Sequence, residues 1–176
     1  MTRAVFFDRD GVLIDAVVRD RRPYPPRSLD EVRIDPDAAT ALARLNAAGY
    51  RLILITNQPD VARGTLDRST VEAIHALLRS HLPLDDCFVC YHDDSDHCSC
   101  RKPQPGLILR AAEQYDIDVS KSFMVGDRWR DVDAGRAAGC RTIWIDRGYE
   151  ERLPASPPDA RVAGLKEAAE RILARS

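Results

Sequence analysis

Phe6-Phe7-Asp8-Arg9-Asp10-Gly11-Val12 is the stretch whose reading decides the fold. It closes the run Ala4–Phe7, four apolar residues that break off at an acidic turn. A short, uninterrupted apolar run of this kind reads as a strand buried on both faces. Two carboxylates follow at a spacing of two. If the chain stays extended through them, Asp8 and Asp10 point to the same side and face one crevice. At about 4 Å and an effective dielectric near 20 such charges repel by roughly 4 kcal/mol, so a cation or a shared proton has to offset them. Taken alone, Asp-x-Asp-Gly also suits a plain turn, because both residue types favour turns. The rest of the chain decides between the two.

Four more short apolar runs read as strands: Arg51–Ile55, Cys87–Tyr91, Phe123–Val125 and Thr142–Ile145. Helical patterns lie between and after them. Asp37–Ala48 has good helix formers, an Asp at its start and Gly49 just past its end. Ser69–Leu82 opens with Ser69-x-x-Glu72, the form of a capping box, and carries an apolar stripe of Val71, Ile74, Leu77 and Leu78. Pro105–Tyr115 and Arg130–Ala138 are two further helices, and Leu165–Ala174 is a last one after the proline-rich connector Leu153–Pro158. Strands alternating with helices predict an α/β fold, a central parallel sheet covered on both faces. Ligands of such folds bind beyond the carboxyl ends of the strands. The chemically useful residues fall at those ends. Asp8 and Asp10 follow the first strand and Thr56-Asn57 the second. A Cys/His cluster with Arg101-Lys102 follows the third, and Gly126-Asp127 with Asp131 follows the fourth. This placement disfavours the plain turn, and carboxylate oxygens clustered there suit magnesium.

The 176 residues fit one domain, taken as 1–176, with 44% apolar and 31% charged residues as in ordinary globular chains. A net charge of −2 gives no reason to expect nucleic acid as a partner. No run reaches the roughly 18–20 apolar residues of a membrane span. The first residues meet charge by Asp8, unlike a signal peptide, so the expected home is the cytoplasm. No long amphipathic seam suggests a dimer, so a monomer is expected.

Four of the five cysteines lie between positions 87 and 100, which in a reducing compartment favours metal over disulfide. Cys90-x-His92 and Cys98-x-Cys100 supply a Cys3His set of the kind that closes tetrahedrally around structural zinc. The spacing is not that of a zinc finger, and a polar surface loop carrying these residues by chance is the alternative. Cys87 is expected to point into the fold and His97 to be spare, and either could replace a misassigned ligand. Cys140, His75 and His81 read as packing or surface residues.

Asp8-x-Asp10-Gly11-Val12, a strand ending in Thr56, then Lys102, then Gly126-Asp127-x-x-x-Asp131 together resemble the haloacid dehalogenase superfamily of phosphohydrolases, over about residues 4–148. The resemblance implies a three-layer Rossmann-like fold and a set of roles. Asp8 would be the nucleophile that forms an aspartyl-phosphate, and Asp10 the acid and then the base. Magnesium would sit on the Asp8 carboxylate, the Asp10 backbone carbonyl and Asp127, with Asp131 holding a metal-bound water. Thr56 and backbone N–H groups near Asn57 would grip phosphoryl oxygens, and Lys102 would neutralise charge. Cys90-x-His92 and Cys98-x-Cys100-Arg101-Lys102-Pro103 resemble the zinc-containing branch of that superfamily, which has little or no cap domain. Neither the interval from Asp10 to Thr56 nor that from Thr56 to Lys102 leaves room for a cap, so loops must read the substrate. The zinc loop would deliver Arg101 for substrate recognition and Lys102 for the phosphoryl group.

The resemblance implies a small phosphorylated metabolite as partner. Thr56-Asn57-Gln58, Ala62-Arg63-Gly64 and Arg101-Lys102-Pro103-x-Pro105-Gly106 resemble the members that act on heptose 1,7-bisphosphate. The five-residue gap from His92 to Cys98 resembles the members that act on histidinol phosphate, and Ala16-Val17-Val18-Arg19 stands where the heptose members carry a different segment. Heptose bisphosphate is the first expectation and histidinol phosphate the second. Arg19, Arg21 and Arg22 either grip a second phosphate or belong to a solvated flap. A phospho-acceptor module and a zinc-stabilised binding module are the non-catalytic alternatives, but every catalytic position is filled.

Overall fold

The computed structural model describes residues 1–175. In chain order the elements are β1 (Arg3–Phe7), β2 (Val17–Arg19), β3 (Arg22–Tyr24), α1 (Ala38–Ala47), β4 (Tyr50–Asn57), α2 (Arg68–His81), β5 (Asp86–Cys90), α3 (Gly106–Tyr115), β6 (Phe123–Gly126), α4 (Trp129–Ala138), β7 (Arg141–Ile145), β8 (Ala160–Val162) and α5 (Leu165–Leu173). Six strands form one sheet in the order β5-β4-β1-β6-β7-β8, every neighbouring pair parallel. β2 and β3 form a separate antiparallel hairpin.

The apolar runs are continuous because the sheet is buried on both faces, and alternate residues serve opposite cores. Val5 and Phe7 of β1 join Leu52 and Leu54 of β4 in one core, with residues of α1, α2 and α5. Ala4 and Phe6 join Ile53 and Ile55 in the other, with residues of α3 and α4. This is the predicted three-layer α/β arrangement.

Register brings the functional strand ends level. Phe7 of β1 pairs with Leu54 of β4 and with Val125 of β6, so Asp8, Thr56 and Asp127 emerge at one edge of the sheet. The chain leaves β1 toward β4 on one side and returns to β6 on the other. β1 therefore sits where the strand order reverses, the place at which open α/β sheets bind ligands.

Three details differ from the sequence reading. The capping box at Ser69 does not form. α2 starts at Arg68 with Asp67 as the preceding cap residue, and Glu72 pairs instead with Arg68 Nε at 2.7 Å. Entering the helix earlier leaves Ser69 already inside it. The short strand β8 was not anticipated, because three residues without a clean apolar pattern give no periodic signal. The flap after the first strand is ordered as the β2–β3 hairpin, whose Arg21 backbone carbonyl accepts from the Glu150 N–H at 3.1 Å.

Candidate active site

The carboxyl ends of β1, β4 and β6 open into a crevice of about 570 Å³. Asp8, Asp10, Asn57, Arg101, Lys102 and Asp131 all line it. Asp8 leaves β1 with its backbone N–H donating to the Val125 carbonyl at 3.0 Å, which ties it to β6. Gly11 makes the next turn with φ +81°, and a Cβ there would overlap the Asp127 carboxylate. Gly126 likewise leaves the space that the Asp131 side chain fills. Both glycines are therefore required by how closely the acidic groups approach.

Asp8, Asp127 and Asp131 each offer an oxygen, all within 4.8 Å of one another. Lys102 is their only ammonium partner among the described residues, with Nζ 2.8 Å from Asp8 and 2.6 Å from Asp131. It also donates to the Ile55 carbonyl at 2.9 Å. Burial alone would lower the Lys102 pKa, but Asp131 and Asp8 outweigh it and raise it. Burial pushes Asp131 up to about 6 against the pull of Lys102, and Asp8 adds to the rise. Burial, then Asp8 and Asp131, hold Asp127 well above the usual carboxylate range. Both Asp127 oxygens are buried without a hydrogen bond of ordinary geometry. A cluster of hard oxygen donors, one of them costly to ionise even with the Tyr149 hydroxyl beside it to offset burial, fits a magnesium ion.

Lys102 is aimed by its own backbone. Its N–H donates to Asn57 Oδ1 and its carbonyl accepts from Asn57 Nδ2, both at 3.0 Å. The Asn57 amide is thus spent on holding Lys102. Thr56 is buried, and its hydroxyl accepts from Gln58 Nε2 at 2.9 Å.

The second cluster is Cys90, His92, Cys98 and Cys100. Its sulfur–sulfur separations are 3.2, 3.4 and 3.7 Å, and His92 Nδ1 lies 3.3 Å from Cys100 and 3.6 Å from Cys90. All are far beyond a disulfide bond of about 2 Å. They are close to the edges of a tetrahedron around zinc, roughly 3.8 Å for sulfur pairs at a Zn–S distance near 2.3 Å. Burial raises the Cys90 thiol, whereas hydrogen bonds led by Cys100 bring Cys98 down to about 7 despite its desolvation. The donor set fits a structural zinc. His97 is exposed and outside the cluster, and Cys87 is half-buried on β5.

The loop between these ligands is tied to the crevice through two acids. Asp93 accepts from Arg63 at 2.6 and 2.9 Å. Asp94 accepts from Arg101 at 2.8 Å and from Arg130 at 3.2 Å. The metal loop, the segment after β4 and the start of α4 are thereby joined.

Sequence reasoning placed Asp8, Asp10, Thr56, Asn57, Arg101, Lys102, Asp127 and Asp131 at one site, and the structure brings them to one strand edge. The structure adds two relationships. Asp10 is absent from the three-carboxylate cluster, because its side chain is gripped by Arg9 and Gln58. Asp131 pairs directly with Lys102 and accepts the Arg128 backbone N–H at 3.0 Å. Arg9 and the Arg128–Glu151 pair were missed, Gln58 was named only as part of a motif, and His75 was read as a packing or surface residue with no link to Arg9. Arg9 sits between two aspartates, but its other partners lie 49 and 66 residues away, so no local pattern marks it.

A parallel-sheet fold with an acidic, lysine-bearing crevice at its switch point suits a metal-dependent hydrolase. The chain belongs to the haloacid dehalogenase-like hydrolase family, whose model matches residues 21–139. It is 36% identical to the D-glycero-beta-D-manno-heptose-1,7-bisphosphate 7-phosphatase of Bordetella bronchiseptica, over 97% of this chain and 98% of that one. The same identity holds to the enzyme of that name from Pseudomonas aeruginosa, over 89% of each. Among solved structures, D,D-heptose 1,7-bisphosphate phosphatase from B. bronchiseptica, complexed with magnesium and phosphate, superimposes with a TM-score of 0.82 at 33% identity, covering 99% of both chains. The Burkholderia thailandensis enzyme of that name gives 0.68 at 29% identity, covering 97% of this chain and 98% of that one.

Proposed function

We propose that this protein is a magnesium-dependent phosphatase that removes the 7-phosphate of D-glycero-D-manno-heptose 1,7-bisphosphate through an aspartyl-phosphate on Asp8. The observation that carries the reading is the pairing of Asp8 with Lys102 at 2.8 Å at the floor of an arginine-rimmed crevice. Relatives 36% identical over nearly the whole chain support the substrate.

Asp8 attacks phosphorus, and the ester oxygen leaves with a proton from Asp10. Asp10, now a carboxylate, takes a proton from the water that displaces Asp8. Lys102 neutralises charge on Asp8 and on the phosphoryl group, so that one anion can approach another. The Thr56 hydroxyl and the backbone N–H groups beside Asn57 hold the phosphoryl oxygens. Asp8, Asp127 and the Asp10 carbonyl would hold magnesium, which would supply positive charge to the phosphoryl oxygens and let Asp127 ionise. Arg101 recognises the rest of the substrate. The zinc loop stands where a cap domain would otherwise read the ligand, and residues 1–176 act as one domain.

The groups left unpaired on the crevice wall favour a bisphosphate over histidinol phosphate. Arg22, Arg63, Arg101, Arg128, Arg130 and Arg152 line the wall. The acids there are engaged: Asp60 with Arg63, Asp94 with Arg101 and Arg130, Glu150 with Arg21, and Glu151 with Arg128. Five of the six arginines are engaged by acids in turn, but Arg22 has no ion pair among the described residues. The wall therefore offers a free guanidinium to a second phosphate and no free acid to the cationic end of histidinol. The test is kcat/KM for the two substrates with magnesium, and again with EDTA. We expect a preference for heptose bisphosphate of at least about 100-fold with magnesium, and loss of turnover on both substrates with EDTA. A preference for histidinol phosphate would contradict the assignment.

A further inference from the structure

Arg9 is fully removed from solvent, and no step above uses it. Its Nε donates to Asp10 Oδ1 and its Nη2 to Asp10 Oδ2, both at 3.1 Å, a two-pronged grip on one carboxylate. Nη2 also donates to Gln58 Oε1 at 3.0 Å, and Nη1 donates to His75 Nε2 at 3.2 Å. Gln58, itself buried, turns its Nε2 to Asp10 Oδ2 at 3.0 Å. Asp10 thus accepts two bonds on Oδ2 and one on Oδ1. Each carboxylate oxygen offers two lone pairs. The one left over is on Oδ1, and the Asp10 side chain keeps 17% of its surface open where it lines the crevice.

We propose that Arg9 and Gln58 are positioning residues for the proton transfers, holding Asp10 so that Oδ1 alone is presented to the reacting oxygens, with His75 fixing Arg9 from behind. The inference rests on the reading of Asp10 as acid and base. In the first step the bond from phosphorus to the ester oxygen breaks, the Asp8–phosphorus bond forms, and the Oδ1 proton goes to the departing oxygen. In the second, water bonds to phosphorus, its proton goes to Oδ1, and the Asp8–phosphorus bond breaks. The clamp does not touch the reacting atoms. It acts by confining the carboxylate, which has little to hold it otherwise, since no other hydrogen bond fixes its side chain among the described residues.

A merely structural Arg9 would, on substitution, slow every substrate alike. A positioning Arg9 slows only those steps that need Asp10. Phosphoenzyme formation is therefore measured in single turnovers with magnesium, on the sugar bisphosphate and on p-nitrophenyl phosphate, whose phenolate leaves without a proton. For Arg9→Lys we expect loss of about 100-fold on the sugar ester and less than about fivefold on the aryl ester, with phosphoenzyme persisting because the water step lacks its base. Gln58→Met, which removes one of three donors, is expected to show the same selectivity at several-fold. Equal slowing of both esters, or none, in folded variants with wild-type magnesium affinity by calorimetry overturns the proposal. If Arg9→Lys does not fold, Gln58→Met decides by the same criterion. Asp10→Asn separates the two readings. If it discriminates between the esters, the acid–base role stands and the clamp is judged on its own variants. If it slows both alike, the acid–base role falls and takes the clamp with it.

Discussion

At Lys102 one ammonium faces two carboxylates while a third, Asp127, lies within the same cluster. The excess of acid is costly in a buried site and defines where a cation belongs. His75 shows the opposite device. It is buried, and Arg9 points an N–H at its Nε2, so burial first and Arg9 second push its pKa from 6.5 down to about 3. Folded His75 thus stays neutral while the unfolded imidazole takes a proton near pH 6.5. Between about pH 6.5 and 3 the unfolded chain binds more protons, so stability is lost as pH falls through that window. His75→Gln keeps an acceptor for Arg9 and cannot titrate. Urea unfolding should show its stability falling less between pH 6.5 and 4 than that of the wild type, by roughly 1–3 kcal/mol. Parallel pH profiles would show that His75 is not buried as a neutral base. The aspartates were legible because each interrupts or follows an apolar run, so a change of residue type marks its position. Arg9 and His75 were not, because a buried arginine looks the same in sequence as a solvated one, and only the pairing of β1 with β4 and the seating of α2 bring their partners together.

At the scale of elements, the strands of the central sheet up to β7 were legible from uninterrupted apolar runs, since burial on both faces removes polar residues from them. β8 and the β2–β3 hairpin were not, being three residues each and carrying charge. The loop after β5 was legible as a candidate metal site from its residue types, although its spacing matches no zinc finger and nothing marked it as the tie between Arg63, Arg101 and Arg130. Each of those arginines is held by Asp93 or Asp94 from within the loop. Zinc should therefore stabilise the loop and, through it, the crevice wall. We expect metal analysis of the purified protein to find one zinc per chain. Cys98→Ser should lose it and melt roughly 5–10 °C lower, corresponding to a few kcal/mol for a chain of this size. Its KM should rise more than its kcat falls, because Arg101 is released while Asp8 stays tied to β6. Zinc-free protein with an unchanged melting temperature would remove the basis for the loop's role.

Across the whole molecule, the sheet gathers residues from four separate stretches at one edge, and the order β4-β1-β6 puts Asp8 at its centre. The general architecture followed from the alternation of strands and helices. The crevice wall did not, because it is built from long-range pairs such as Arg21 with Glu150 and Arg128 with Glu151, between segments that no local signal relates. Among the described residues, the hairpin and a single 3-10 turn at Leu29–Glu31 are the only elements between β1 and α1, so no covering domain is inserted there. The central claim remains the identity of the nucleophile, and turnover by Asp8→Asn tests it most directly. The purified variant, matched to wild type in zinc content and melting temperature, is assayed on heptose bisphosphate with magnesium. Activity at least about 1,000-fold below wild type, with no phosphoenzyme trapped on acid quench, is the predicted result. A variant that kept most of the wild-type rate would contradict attack by Asp8 and the account built on it.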